Sequence, residues 1–434
     1  MSKHTDFARR TFGLQQTEVQ APVPCTLPTP GTGECVAVVG PSGAGKTLAL
    51  RNLNAREVIP LRCEELDTPA LELFDPSLPS DVVLRALARV GLADGRLWGL
   101  KARHLSAGEC RRLEFALAQC GHSGLLVADE FDAHLDATTA CVLSENLRRW
   151  VKRNDLRLVV STHRPETLGY LQPEKVIEID RGIAHERSDL PGAERRTLDE
   201  IEIVAGRLKD YAAFAQWHYL GPGRPGPTSD VYLAMHLGRA VGVVVLGYPH
   251  LLLAARNSVL PQFGPKRVAA DGAARMNQDL RLLQRVVVEP RFRGVGVARA
   301  LIRHALQRTT ASHVECIAQM GDFSDFLLGS GFRRVCEIPP PASAKGVSEF
   351  LSEKGIAPTA LLTPKTRAGV MRELSARDRQ RLESLLSRLL STRIQTGLGS
   401  MRARAPAAHE ALLQKALGRI SASPGYFLWS REMR

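Results

Sequence analysis

The sequence predicts an α/β protein of two domains, each built on a strand that runs into a glycine-bearing turn and then a helix, followed by a basic helical tail. Three observations carry that prediction. The chain has 434 residues, which at about 100–200 residues per domain is two or three domains. Apolar residues make up 44% and charged residues 24%, a globular mix that excludes disordered and fibrous classes. The strand, turn and helix pattern occurs twice, over 34–53 and over 285–308.

What the chain lacks narrows it further. No run of 18 apolar residues occurs, and the longest candidate, near Val241–Leu253, is broken by Gly247, Pro249 and His250, so no membrane-spanning helix is expected. Met1 to Asp6 lead into no apolar h-region, and a cytoplasmic location without membrane partners is expected. The 8 cysteines form no C-x-x-C pair, which reads as reduced thiols rather than a disulfide frame or a zinc site.

The first element in order is the run Glu34–Val39, an apolar strand that enters Gly40-Pro41-Ser42-Gly43-Ala44-Gly45-Lys46-Thr47 and continues as a helix over Leu48–Leu53. This fits G-x-x-x-x-G-K-[ST]. The backbone from Gly40 through Ser42, Gly43 and Gly45 is expected to curl around phosphate oxygens of ATP. Lys46 reaches the β/γ-phosphates and Thr47 offers a hydroxyl to Mg²⁺. Next, Leu105-Ser106-Ala107-Gly108-Glu109 opens a helix over Cys110–Ala118, and Leu125–Ala128 is an apolar strand ending in Asp129 and Glu130. A strand-terminal Asp suits Mg²⁺, so Asp129 joins Thr47 as a metal ligand, and Glu130 can polarise the attacking water. Asp136 follows, and Leu158–Thr162 leads to His163, a candidate catalytic histidine.

This ordered series resembles the ATP-binding-cassette (ABC) ATPases over roughly residues 20–190. Lys46 and Thr47 match the phosphate loop, Ser106 and Gly108 the signature loop, Asp129 and Glu130 the second nucleotide motif, Asp136 the D-loop and His163 the switch histidine. The resemblance implies a homodimer that sandwiches ATP, the signature loop of one protomer completing the site of the other. Two departures stand out. No glutamine occurs between Leu48 and His104, and that segment is short for the subdomain with which transporters grip a membrane partner. The only aromatics before Lys46 are Phe7 and Phe12, so the A-loop tyrosine is absent. A transporter subunit is not expected.

The second pattern begins near Thr197. Arg285–Glu289 is a β-branched strand stopped by Pro290, Arg291-Phe292-Arg293-Gly294-Val295-Gly296 forms the turn, and Val297–Arg308 is a helix with Leu301, Ile302, Ala305 and Leu306 on one face. A helix N-terminus behind a glycine turn is an anion cradle. Ser229–Leu237 and Arg239–Gly247 read as an antiparallel pair, and Asp322–Phe332 as a short helix ending in Gly331-Phe332. These pieces resemble the GNAT acetyltransferases over about 197–337. In that family the turn grips the pyrophosphate of acetyl-CoA, which would place Arg291, Arg293, Gly294 and Gly296 on acetyl-CoA or a related acyl-CoA.

The order of the two halves resembles a prokaryotic and phage group described as ABC ATPases fused to an acetyltransferase. Trp217-His218-Tyr219-Leu220-Gly221 is similar to the His-Tyr segment of phage Mom proteins, GNAT-fold enzymes that modify adenine in DNA. Acyl transfer needs a base for the amine and an acid for the thiolate. His218 is a candidate base, with an ordinary pKa near neutrality, and Glu289 is another. Phe323 and Phe326 stand where the family often has a tyrosine, which leaves Tyr219, Tyr426 or water as the acid. Cys316 reads as core.

The remaining stretch is the tail. After Pro339-Pro340-Pro341, Ser375-Ala376-Arg377-Asp378 reads as a capping box. Leu382, Leu385, Leu386, Leu389 and Leu390 form an apolar stripe backed by Arg377, Arg379, Arg381 and Arg388. Tyr426–Trp429 reads as a strand, which would make 346–420 a helical insertion in the second domain. The expected domains are 1–190, 197–338 and a basic helical region, 339–434, ending in a strand over 426–431. From 341 onward there are 16 Lys+Arg against 7 Asp+Glu, within a chain total of +13. Such an excess fits a polyanion, DNA or RNA, whose counterions the cations release.

The sequence is thus read as an ABC-type ATPase domain followed by an α+β GNAT-like domain, together an ATP-hydrolysing acyltransferase acting on nucleic acid. Two other readings stay open: a DNA-repair or chromosome-type ABC ATPase with a non-catalytic GNAT module, and an N-acetyltransferase acting on a protein or small molecule.

Overall fold

The computed structural model describes residues 3–13, 26–53, 55–57, 66–120, 124–180, 183–189, 192, 194–218, 223–264, 272–340, 342–361, 364–391, 417, 420 and 423–433. The chain divides into two compact units, residues 1–78 with 100–197, and residues 79–99 with 198–434. Residues 79–99 fall in the second unit, and so does the tail, where its reading as an insertion in the second domain puts it. Within that second unit Arg293 Nη1 donates to Ala93 O at 3.0 Å, and its guanidinium lies 3.6 Å from the Asp94 carboxylate.

The first unit is a six-stranded sheet in the order β2-β3-β4-β1-β5-β6. Its strands are β1 (Cys35–Val39), β2 (Arg56–Glu57), β3 (Leu125–Ala128), β4 (Arg157–Ser161), β5 (Lys175–Asp180) and β6 (Ile183–Glu186). Strands β1 to β5 are parallel and β6 closes the edge antiparallel to β5. Parallel strands are covered on both faces, which is why β1, β3 and β4 read as unbroken apolar runs. Val36, Val38, Val127, Val159 and Ile177 meet Ala49 and Leu50 of the helix Lys46–Arg51 in one core cluster. The C-terminal ends of β1, β3 and β4 therefore carry the loops 40–47, 129–136 and 162–164 side by side.

The second unit is a seven-stranded sheet in the order β12-β13-β11-β10-β9-β8-β7. The strands are β7 (Ile201–Ala205), β8 (Thr228–His236), β9 (Arg239–Gly247), β10 (Leu280–Val288), β11 (His313–Ala318), β12 (Arg333–Glu337) and β13 (Gly425–Ser430). Only β10 and β11 run parallel; every other pair is antiparallel. Leu237 and Gly238, at φ 49° and 76°, make the two-residue turn between β8 and β9, the geometry that matches strand twist. The parallel pair holds only over Leu280–Leu282 against His313–Glu315. A bulge between Leu283 and Arg285 bends β10, and the two strands share no ladder beyond it.

Strand Gly425–Ser430 lies between β11 and β12, buried along its whole length. The chain between β12 and β13 contributes the helices Ala342–Glu353, Pro364–Glu373 and Ala376–Ser391. Val347, Phe350, Leu351, Leu382, Leu386 and Leu389 form their core with Leu417 and Ile420, so the leucine stripe packs inward. Where the sequence predicted a helix over Asp322–Phe332, there are 3-10 turns at Met320–Asp322 and Leu328–Ser330. Gly331 at φ 97° turns the chain into β12.

The thiols are not all reduced. Cys110 is disulfide-bonded, a pairing that sequence spacing does not reveal. Cys35, Cys316 and Cys336 carry free thiols, and burial pushes the Cys316 thiol up to about 12, as befits a core residue. Among the described residues no helix is long and apolar enough to cross a membrane.

Candidate functional site

In the first unit three loops converge. Gly40, Gly43 and Gly45 hold φ of 145°, 79° and 102°, which side chains rarely adopt. A Cβ at Gly40 would also lie 2.2 Å from Ile179 O. The turn so formed leads into helix Lys46–Arg51 with no side-chain cap, leaving its N-terminus for an anion. Ser42 is exposed on the turn, while Lys46 is buried. Lys46 Nζ folds back on Gly40 O at 2.8 Å and Pro41 O at 2.9 Å. Burial lowers its ammonium from the ordinary lysine value, against the raising pull of Glu130 and Asp129.

The loop after β3 supplies the carboxylates. Thr47 Oγ1 donates to Asp129 Oδ2 at 2.6 Å, so the two expected Mg²⁺ ligands are adjacent. Ser161 Oγ donates to the other oxygen, Asp129 Oδ1, and accepts the Glu130 N–H at 2.7 Å. The Glu130 carboxylate meets His163 Nε2 at 2.9 Å. His163 Nδ1 lies 3.4 Å from Lys46 Nζ. Glu130, His163 and Lys46 thus form one polar line, and Thr47 with Asp129 a second, tied to the Glu130 backbone through Ser161.

Ser106 and Gly108 lie apart from that line, at the start of helix Ala107–Gln119. Ser106 and Glu109 form a reciprocal capping box, the arrangement that fixes a helix start. A Cβ on Gly108 would come 3.2 Å from Leu135 Cδ2. Asp136 caps the helix Ala137–Arg153 by accepting from Thr139 N. Two buried groups here escaped the sequence reading. Burial raises the pKa of Asp132, whose Oδ2 accepts from Thr162 Oγ1 at 2.6 Å. Arg111 pairs with Glu114 inside the helix that was read only for its apolar spacing.

In the second unit the turn 290–296 follows β10, with Gly294 and Gly296 at φ 90° and 101°. Gly296 begins the helix Val297–Arg308, again with no side-chain cap. The two arginines of the turn are differently committed. Arg291 is paired with Glu289, which also meets Arg239 at 3.3 Å. Arg293 donates to Val288 O at 3.0 Å as well as to Ala93 O. Its charge lies 3.6 Å from the Asp94 carboxylate. His218 is buried, next to Trp217, whose carbonyl lies 3.5 Å from Arg293 Nη2; Tyr219 lies outside the described residues.

Tyr426 is wholly buried, and its hydroxyl donates to Glu315 Oε2 at 3.0 Å. Burial and the neighbouring carboxylate push its pKa up, so it serves the interior rather than a leaving group. Arg256 completes that cluster with Nε and Nη2 on the two Glu315 oxygens at 3.0 and 2.7 Å. Charged letters at 256 and 315 inside apolar segments are the one sequence signal for it. Among the described residues no group of His, Cys, Asp and Glu is arranged to hold a metal without further ligands.

No family model matches the chain. A putative ABC transporter ATP-binding protein of Gloeobacter violaceus is 30% identical over 221 residues, covering 41% of this chain and 88% of that protein. A lipoprotein-releasing system ATP-binding protein of Ruegeria sp. is 27% identical over 194 residues, 36% of this chain and 85% of its own length. An aliphatic sulfonates import ATP-binding protein of Rhodococcus jostii is 31% identical over 172 residues, 35% of this chain and 62% of that one. A solved dimeric ATP-binding cassette in a post-hydrolysis state aligns at a TM-score of 0.31 and 20% identity, over 37% of this chain and 87% of that chain. The unit that holds Lys46, Asp129 and Glu130 is an ABC-type nucleotide-binding domain. By its identity to the Gloeobacter protein and the share of it covered, the chain belongs to the ABC ATP-binding protein family.

Proposed function

We propose that this protein hydrolyses ATP at the Lys46–Glu130–His163 site and uses its second unit to transfer an acyl group from a CoA thioester to nucleic acid. The first half is supported by the line of side chains across the phosphate loop. Thr47 Oγ1 and Asp129 Oδ2, 2.6 Å apart, are hard oxygens of the kind Mg²⁺ takes. When bound, the ion would neutralise charge on the β- and γ-phosphates. Lys46 Nζ gives up Gly40 O and Pro41 O for phosphate oxygens. Glu130 holds the water, and His163, at 2.9 Å from Glu130, fixes the direction of that carboxylate.

The acyltransferase half rests on one observation, the opening between β10 and β11. These parallel neighbours pair over three residues and then part above the turn 290–296, leaving backbone edges that face each other. An extended, amide-bearing arm fits such an edge by strand-like hydrogen bonding. The turn beyond it, with helix Val297–Arg308 behind, suits a pyrophosphate. The position of β13 between β11 and β12 also supports the GNAT reading. Arg291 and Arg293 are committed to Glu289 and Asp94, so the backbone of the turn and the helix terminus are the main anion donors. The acceptor follows from charge, since the helices 342–391 turn their leucines inward and leave arginines exposed.

Mass spectrometry of nucleosides tests the whole reading. Purified protein with ATP, acetyl-CoA and DNA or RNA is expected to yield a nucleoside heavier by the acyl group. Cells with and without the gene should show the same difference. Calorimetry that finds no CoA binding to the intact protein would remove the donor and with it the transferase.

A further inference from the structure

We infer that Arg111 is a positioning residue for ATP hydrolysis, joining the helix that starts at the Ser106–Glu109 loop to the backbone that aims Glu130. The inference rests on the hydrolysis reading above. Arg111 and Glu114 are one turn apart on the helix, with side chains only 7% and 6% exposed. Burying two charges costs several kcal/mol per ion unless their hydrogen-bonding capacity is used, and here it is used. Arg111 Nη1 is on Glu114 Oε2. Nε donates to Phe131 O at 3.1 Å, and Nη2 to Asp129 O at 2.7 Å and Glu130 O at 3.3 Å. The guanidinium also lies 5.2 Å from the centre of the Phe115 ring. One planar fork therefore gathers three successive carbonyls, which the single nitrogen of a lysine could not do.

Those carbonyls need gathering. Glu130 has φ 42°, a left-handed backbone that costs a non-glycine residue about 1–2 kcal/mol. Such a conformation persists only where its surroundings over-determine it. Ser161 Oγ takes the Glu130 N–H, and Arg111 takes the Glu130 carbonyl. Held on both sides, the residue carries its carboxylate to 2.9 Å from His163 Nε2. Ser106 and Glu109 cap the same helix one turn before Arg111, so a displacement of their loop is carried to the Glu130 peptide through this side chain.

The test is steady-state ATPase activity and binding of a fluorescent ATP analogue for Arg111→Gln, Arg111→Lys, Glu130→Gln and Arg111→Gln with Glu130→Gln. Arg111→Gln is expected to lose about 10²-fold in kcat, the scale of a 1 Å misplacement, with analogue affinity unchanged and a lower melting temperature, since Glu114 is left buried without its partner. In the Glu130→Gln background the same change should cost nothing further, because both act through one carboxylate. Arg111→Lys keeps the cation beside Glu114 and loses the fork; it should fold, bind the analogue and hydrolyse at an intermediate rate, and it stands in if Arg111→Gln does not fold. A kcat within about twofold of wild type for either single variant, additive losses in the double variant, or affinity falling in step with kcat would overturn the inference. A wild-type protein that binds the analogue and does not hydrolyse ATP would instead overturn the hydrolysis reading.

Discussion

Glu130 is the side chain on which the nucleotide chemistry turns. Glu130→Gln keeps the backbone bond to Ser161 and the bulk beside His163, and removes the charge that polarises water. It should bind ATP, hydrolyse it poorly and accumulate as a dimer by light scattering with ATP; Lys46→Ala should fail to bind. A monomer under saturating ATP, with Lys46→Ala hydrolysing normally, would sink the assignment of this site. The sequence made Lys46, Thr47, Asp129, Glu130 and His163 legible because phosphate chemistry fixes their spacing along the chain. Arg111, Asp132 and Glu315 were hidden, because a buried charge is decided by what lies beside it in space. Glu315 is the sharper case for stability. Arg256 and Glu315 are both fully buried, so Arg256→Leu should destabilise the protein by about 3–5 kcal/mol, while Arg256→Leu with Glu315→Leu should cost much less. Denaturant titration followed in the second unit decides between them.

The turn 290–296 shows what an element's sequence can and cannot announce. Its glycines were readable as an anion cradle, and Gly294 and Gly296 do adopt left-handed φ. The fate of Arg293 was not readable, because Ala93 and Asp94 approach it from 200 residues away in sequence. Substitution of Gly296 by valine, at φ 101°, is strained whatever the space around it. It should abolish acetyl-CoA binding in calorimetry while leaving ATP hydrolysis intact, whereas Arg293→Ala should weaken binding less than the glycine change. Equal affinity in Gly296→Val and wild type would make the turn a structural cap. The strand Gly425–Ser430 was legible from its aromatic run Tyr426-Phe427-Leu428-Trp429, and its place between β11 and β12 was not. Of the helices between β12 and β13, Ala376–Ser391 was legible from the leucine period.

For the molecule as a whole, charge is the property with reach. The +13 of the chain says nothing about which fold it takes and a good deal about what it meets. Arg377, Arg381 and Arg388 lie on the exposed side of helix Ala376–Ser391. If they dock a phosphate backbone, binding to DNA or RNA must weaken with salt by about 0.7–0.9 log units per contact for each log unit of salt. Reversing the three to glutamate should flatten that slope. The buried leucines are untouched, so ATP hydrolysis without nucleic acid should hardly change. Salt-insensitive binding, or none, would point to a protein or metabolite acceptor. Residues 79–99 interrupt the first unit in sequence while their packing belongs to the second.

The short ladder between β10 and β11 makes a strand in the middle of a sheet behave, along one side, as if it were at the rim. Beyond Leu282 and Glu315 the two strands have no ladder pairing, so the β10 amides on that side should exchange with deuterium as fast as those of a peripheral strand. The antiparallel side, laddered to β9 through Val288, should exchange slowly. A thioester arm laid in the gap would slow the fast set alone, giving a signature of loading that requires no turnover.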